Sequence, residues 1–375
     1  MGRAHVVDAV SPFPTKASPR PRARRRAAWL AVVAVAAAAL ALSAPPLTPG
    51  AEAQGRPFYG VTTQGPLVAQ DYNRMRRGRV GMLRVEISWG SVEPRPGDYQ
   101  FESIDPLVRN AAARGIRVLP AVSGKPHHVN RPPTELADRQ AYHRLMRALA
   151  ERYGPGGDFW QGFDGRPRPV TVWQLWSEPN GSARWGGRVQ PRAYGQLVRF
   201  GARGVRSANP RAQIVLGGMF ATPSGPGSMT AWRYLNRLYK VKRIKRAFDM
   251  VGLHSYSPSL RGVRYQMRRA RNVMRRNNHR RAGIRVTEIG WGSARRGHPQ
   301  NVGPKRQARM LRRSYRLLTR HRNRKQGWNV QGIDWFAWQD GGTCGFCKSA
   351  GLFRGAAGER KPKRSWRAFS QMTRR

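Results

Sequence analysis

Short apolar runs recur along the chain beyond Ala53, each separated from the next by a longer stretch in which apolar residues return every three or four positions. The short runs are rich in Val, Ile and Leu, as strands of a buried parallel sheet are. They predict strands near Phe58–Thr62, Met82–Ile87, Ile116–Val122, Val170–Trp176, Gln213–Gly218, Met250–His254, Ile284–Thr287 and Ile333–Trp338. The stretches Ile104–Arg114, Glu135–Tyr153, Arg192–Ala208, Gly262–Asn277 and Lys305–Arg320 set arginines against an apolar stripe and predict helices. Eight strands alternating with helices are the arithmetic of an α/β (β/α)8 TIM barrel. Functional groups of such a barrel gather at the C-terminal ends of its strands.

With 375 residues, 39% of them hydrophobic, the chain buries a large core, and one barrel over residues 54–375 accounts for it better than two small domains. Residues 1–53 read as a leader. A basic cluster, Arg20 to Arg26, precedes the uncharged apolar stretch 27–44, and Ala51-Glu52-Ala53 follows as a small-x-small cleavage site. Cleavage after Ala53 makes the product secreted, whereas retention of 27–44 as a signal anchor keeps it on the membrane; either places the barrel outside the cytoplasm.

Net charge changes the list of partners. At +51, with 70 basic residues of which ten are lysine, the chain attracts polyanions. The arginines are spread over every predicted helix and loop, densest in Arg268-Arg269, Arg275-Arg276 and Arg280-Arg281. No helix-turn-helix, zinc-finger or RNA-binding signature accompanies them, so dedicated nucleic-acid binding is not expected. Two readings stay open: a solvated arginine-biased surface, and electrostatic association with an anionic cell envelope.

Candidate chemistry sits at two strand ends. Glu178 closes Val-Thr-Val-Trp-Gln-Leu-Trp-Ser-Glu-Pro-Asn (170–180), and Glu288 closes Ile-Arg-Val-Thr-Glu-Ile-Gly-Trp (284–291). Burying a carboxylate without a partner is costly, so two at the ends of apolar runs call for a function. Paired carboxyls over one barrel mouth are what glycoside hydrolysis needs: one to protonate the leaving oxygen, one to attack or to activate water.

Trp-Ser-Glu-Pro-Asn (176–180) resembles the acid/base motif on the fourth strand of clan A glycoside hydrolases, and Thr-Glu-Ile-Gly-Trp (287–291) resembles their seventh-strand nucleophile motif. The likeness runs from Tyr59 to Phe369 and is nearest to the cellulase-like and xylosidase-like families 5 and 39. It implies a retaining hydrolase of poly- or oligosaccharides with Glu178 as acid/base, Glu288 as nucleophile and no cofactor or metal. It further implies that ionised Glu288 raises the proton affinity of Glu178, that Arg84 lies beneath Glu288, and that Tyr256 hydrogen-bonds it. Ser177 departs from the family, which has asparagine there against the sugar hydroxyl beside the anomeric carbon. A non-catalytic carbohydrate- or envelope-binding barrel is the alternative this departure supports.

Other residues at strand ends carry two readings each. His254 is a site residue or a satisfied core histidine, and Asn180 binds substrate or ends the turn after Pro179. Trp338 is placed like the family's sugar-stacking tryptophan, with Trp89 and Trp291 as further aromatic candidates, although tryptophans are also common in cores. Cys344 and Cys347 in Thr-Cys-Gly-Phe-Cys predict a disulfide pinning the loop after the eighth strand, since nothing nearby completes a zinc set and the surroundings are not thioredoxin-like.

Overall fold

The computed structural model describes residues 57–374, apart from positions 128, 224 and 323–326. The leader predicted over 1–53, including stretch 27–44, lies outside the described residues. Among those described, no helix is long and apolar enough to cross a membrane.

Eight parallel strands close into a barrel in sequence order: β1 Tyr59–Thr62, β2 Met82–Ser88, β3 Arg117–Ser123, β4 Val172–Ser177, β5 Gln213–Phe220, β6 Met250–His254, β7 Gly283–Ile289 and β8 Val330–Phe336. β1 closes the barrel on β8 with Gly60 opposite Asp334. The helices Asp105–Ala112, Leu136–Tyr153, Pro191–Ala208, Leu260–Arg276 and Pro304–Arg320 form where the 3.6-residue stripe predicts them. Helices Ala69–Arg77, Ala231–Leu238 and Arg364–Thr373, and the small hairpin Phe353–Arg354 with Lys361–Pro362, were not predicted. Their segments are too short or too arginine-rich for the pattern to stand out.

Alternation along β2 shows how the interior is layered. Leu83 and Val85 join the large core between barrel and helices, while Met82 belongs to a separate cluster with Leu119, Val215 and Met250 from β3, β5 and β6. Those residues plug the barrel floor. Above them, on the same inward face, come Arg84 and then Glu86. A second charged layer joins Arg285 to Asp334 by two hydrogen bonds of 2.9 and 2.7 Å, both side chains almost fully buried. Gly60 makes room for this pair, because a Cβ there would lie 2.0 Å from Asp334 Oδ1.

Two strand ends differ from expectation in ways that matter for the site. β7 continues through Glu288, so the carboxylate projects from a strand and not from the loop after it. β8 ends at Phe336, two residues before Trp338.

Candidate active site

Local backbone geometry aims the two glutamates at one mouth. Trp176 and Glu178 both hold left-handed backbone conformations, with φ of 77° and 51°. Such values cost a non-glycine residue on the order of 1–3 kcal/mol and persist only where surroundings enforce them. Asn180 is part of that enforcement: its amide donates to Phe220 O at 2.9 Å and Met229 O at 2.7 Å and accepts from Phe220 N. Asn180 is fully buried and ends the turn; it does not meet the cleft.

On the opposite wall the β6–β7 ladder slips between Leu253 and His254, leaving Thr287 extra on β7. A slip of this kind re-aims side chains. It pairs His254 with Glu288, and Gly218 on β5 supplies the space, since a Cβ there would lie 2.0 Å from His254 Nε2.

The result is a cleft of about 930 Å³ lined by Glu86, Glu178, Arg184, Tyr256, Glu288 and Phe336, among others. A carboxylate oxygen of Glu178 lies within 4.8 Å of one of Glu288. Arg84 is wholly buried beneath them and donates from Nη1 to Glu288 at 2.8 Å and from Nε to Gln174 at 2.8 Å. Tyr256 donates its hydroxyl to the other Glu288 oxygen. His254 stands between the glutamates, with Nδ1 2.7 Å from Glu178 and Nε2 3.3 Å from Glu288. Arg184, half exposed, reaches Glu178 at 3.4 Å and Glu86 at 3.5 Å.

The two carboxyls sit in different surroundings. Burial is the largest influence on Glu288 and raises its pKa, against the opposing pull of His254 and Arg84. Burial also disfavours the charged form of Glu178, but the hydrogen bond and field of His254, with Arg184, outweigh it and hold that carboxyl below its usual range. The two also differ in depth: the Glu288 side chain is 7% exposed and that of Glu178 18%. Tyr256 is pushed well above the ordinary tyrosine value by burial and by Glu288, so it stays a hydrogen-bond donor.

Glu178, His254 and Glu288 are the cluster among the described residues whose atoms could hold a metal ion. Arg84, Tyr256 and Arg184 already contact those carboxylates, so a cation there would compete with fixed donors.

Several candidates fall elsewhere. Ser177 is 1% exposed; its hydroxyl donates to Glu86 at 2.7 Å and accepts from Arg84 Nη2 at 3.3 Å, so it supports the wall and does not line the cleft. Trp338 is no stacking platform: fully buried outside the cleft, it donates Nε1 to Asp71 at 3.1 Å and packs on Phe353 and Trp366. Trp89 donates to Glu93 at 2.6 Å and packs on Tyr142, and Trp291 packs on Trp335; both are core residues. The early end of β8 explains the error at Trp338, because it presents Phe336 to the cleft instead. Phe346 lines the same side and meets Phe336 and Tyr256. Cys344 and Cys347 form the predicted disulfide, and both border the cleft.

Sequence reasoning missed Glu86 and Arg184. Glu86 was within reach, since it follows inward-facing Arg84 by two residues on one strand. Arg184 had no signal to separate it from the other arginines.

Fold and site together define the class: a (β/α)8 barrel of the architecture shared by clan A glycoside hydrolases, with a pair of glutamates at its mouth. Residues 62–129 match the family model of glycoside hydrolase family 42, described as beta-galactosidase. That stretch contains Arg84 and Glu86 but neither Glu178 nor Glu288. Among solved structures, a family 39 glycoside hydrolase from Bacteroides cellulosilyticus aligns with a TM-score of 0.63 at 21% identity, over 86% of this chain and 64% of its own. A monomeric beta-xylosidase from Caulobacter crescentus gives 0.55 at 17%, over 85% of this chain and 69% of its own. An endoglucanase from Pseudomonas stutzeri gives 0.58 at 11%, over 85% and 95%. The chain thus spans less than two thirds of the Bacteroides enzyme. No curated protein matches the sequence.

Proposed function

We propose that the protein is a retaining glycoside hydrolase acting on a poly- or oligosaccharide. The observation that carries this reading is that Glu178 and Glu288 face one cleft with an oxygen of each within 4.8 Å of the other and both against the ring of His254. Retaining enzymes hold their carboxyls about 5–5.5 Å apart, and inverting ones leave roughly 6.5–9.5 Å for a water. Glu288, oriented by Arg84 and Tyr256, attacks the anomeric carbon as the bond to the leaving oxygen breaks, and that oxygen takes the proton of Glu178. Water then attacks the same carbon, returns a proton to Glu178 and releases Glu288. Glu178 must therefore hold a proton when the leaving group arrives. A leaving sugar that displaces Arg184 removes one of the contacts that keep Glu178 ionised, the lesser one beside His254.

Glu288→Gln is expected to abolish turnover of 4-nitrophenyl β-glycosides. Glu178→Ala should retain part of its activity on these activated leaving groups and gain rate with azide. Full activity in either variant on a natural glycan overturns the roles. A native protein that binds glycans but turns over no glycoside favours the non-catalytic barrel.

Export, with cleavage after Ala53 or anchoring through 27–44, is part of the same reading, and the N-terminal sequence of the mature protein decides between them. Envelope association is supported by a groove of about 640 Å³ between two helices, lined by Arg261, Arg264 and Arg268 on one and Arg313, Arg316 and Arg320 on the other, with no acidic side chain in its lining. Co-sedimentation with anionic lipid vesicles that falls as salt is raised tests it; indifference to vesicle charge refutes it.

A further inference from the structure

On the outside of the barrel it is the acids, not the arginines, that are unevenly placed. The earlier outer helices, Ala69–Arg77, Asp105–Ala112 and Leu136–Tyr153, hold Asp71, Asp105, Asp138 and Glu151 among their arginines. The helices that follow β4 to β8 are Pro191–Ala208, Ala231–Leu238, Leu260–Arg276, Pro304–Arg320 and Arg364–Thr373, and they contain no Asp or Glu. They pack side by side in chain order, and so cover five successive positions of an eight-strand ring. Three of the seams between them are open grooves. The first, about 690 Å³, includes Arg192, Arg199, Arg237 and Lys240 in its lining. The second is the arginine groove between Leu260–Arg276 and Pro304–Arg320, and the third, about 580 Å³, includes Lys305, Arg312, Arg364 and Arg367. Among the described residues no acidic side chain lines any of them. Asp249, just before β6, is already held by Arg206 at 2.8 Å.

The remaining seam carries a different chemistry. Tyr265 of Leu260–Arg276 is 52% exposed and meets Trp232 of Ala231–Leu238 edge to face, with ring centroids 5.6 Å apart. Arg269 lies over both rings, 5.4 Å from the centre of Trp232 and 5.9 Å from that of Tyr265. An aromatic pair with its own cation therefore stands between the first and second grooves.

Like charges on one flank repel each other and attract an anionic partner. The shape of the flank selects among polyanions. Its five positions curve through more than half a turn, whereas a planar bilayer meets only the few helices that face it. A DNA duplex, with a persistence length of about 150 bp, resists bending around so small a body. A flexible single chain follows the curve. Single-stranded nucleic acid is held by stacking successive bases on a series of aromatic side chains, and among the described residues Tyr265 is the one exposed aromatic of this flank. A pyranose needs only one such ring for its apolar C–H face, and a uronate adds a planar carboxylate that matches the guanidinium fork. We propose that this flank binds a linear acidic polysaccharide, with uronate carboxylates on the groove arginines and a sugar ring stacked at Tyr265 and Trp232. The choice of a polysaccharide rests on the hydrolase reading: the flank keeps the enzyme on the polymer matrix in which its substrate lies.

Calorimetry on the full chain carrying Glu288→Gln, which removes turnover, compares polygalacturonate with neutral dextran, linear polyphosphate, oligo(dT) and phosphatidylglycerol vesicles. Polygalacturonate should bind and dextran should not, with an affinity that falls as salt is raised and grows with chain length until the chain spans more than one groove. Arg192→Ser with Arg237→Ser, and separately Arg264→Ser with Arg316→Ser, should each weaken binding by roughly 3- to 30-fold. Tyr265→Ala should weaken polygalacturonate binding by roughly 2- to 10-fold, as for loss of an aromatic contact, and leave polyphosphate binding as it was, because polyphosphate has no C–H face. All five side chains are exposed, so melting should not change. Polygalacturonate affinity that ignores Tyr265→Ala, or an equal loss on polyphosphate, reduces the surface to charge alone and overturns the proposal. Tighter binding of oligo(dT) or of the vesicles overturns it as well, and a loss confined to one arginine pair excludes the wrapped chain. In protein with Glu288 intact, turnover of glycosides without polymer binding defeats this inference alone, and polymer binding without turnover defeats the hydrolase reading alone.

Discussion

Replacing Arg84 with methionine tests the electrostatic logic of the site at its centre. The guanidinium is fully buried and lies 2.8 Å from Glu288, whose side chain is 7% exposed, so solvent does little to screen the pair. With charge centres about 4 Å apart and an effective dielectric near 20, the attraction is about 4 kcal/mol. Methionine fills much of the volume but leaves Glu288 with His254 and Tyr256 alone. Its pKa, already raised by burial, then rises further, and the attacking carboxylate becomes scarcer at neutral pH. Relaxation and entering water return part of the energy, so a loss of about 2–4 kcal/mol is expected, or roughly 30- to 1000-fold in kcat/KM. The sign for pH follows directly: Glu288 must be ionised to attack, so the acidic limb of the kcat/KM profile should move to higher pH in the variant. Arg84→Lys keeps the charge but loses the planar fork that also holds Gln174, and should fall between the two. Profiles on a 4-nitrophenyl glycoside, with thermal melting to confirm folding, measure both effects. An unchanged acidic limb in folded Arg84→Met refutes the assignment of Arg84 as the group that keeps Glu288 charged.

Other substitutions separate the cleft from the scaffold. Phe336→Ala should raise KM with little change in melting, whereas Trp338→Ala should cost about 3–5 kcal/mol of stability, as expected for emptying a buried tryptophan site; a KM effect confined to Trp338 reverses the assignment. Arg285→Met leaves Asp334 buried without its partner and should destabilise by about 3–5 kcal/mol; a melting curve like that of the native protein contradicts this. Cys344→Ser with Cys347→Ser should fold with about 2 kcal/mol less stability, the chain-entropy share of so short a loop, and show a higher KM. An unchanged KM removes the disulfide from the shaping of the mouth.

The chain's pattern determined its barrel. Runs such as Met82–Ile87 and Met250–His254 were legible because strands buried among helices must be apolar almost throughout, and the helices because one face must be. Glu178 and Glu288 stood out for the same reason, as carboxylates where burial forbids an unpaired charge. What the sequence could not decide was direction and distance. Trp338 read as a platform until β8 ended two residues early and turned Phe336 to the cleft. Glu86 had a period-2 signal, but its meaning came only with Ser177 at 2.7 Å from another strand. Arg184 was one arginine among many until folding set it between two carboxylates. Local pattern records which surfaces must be buried; closing eight strands into a ring decides which charges meet.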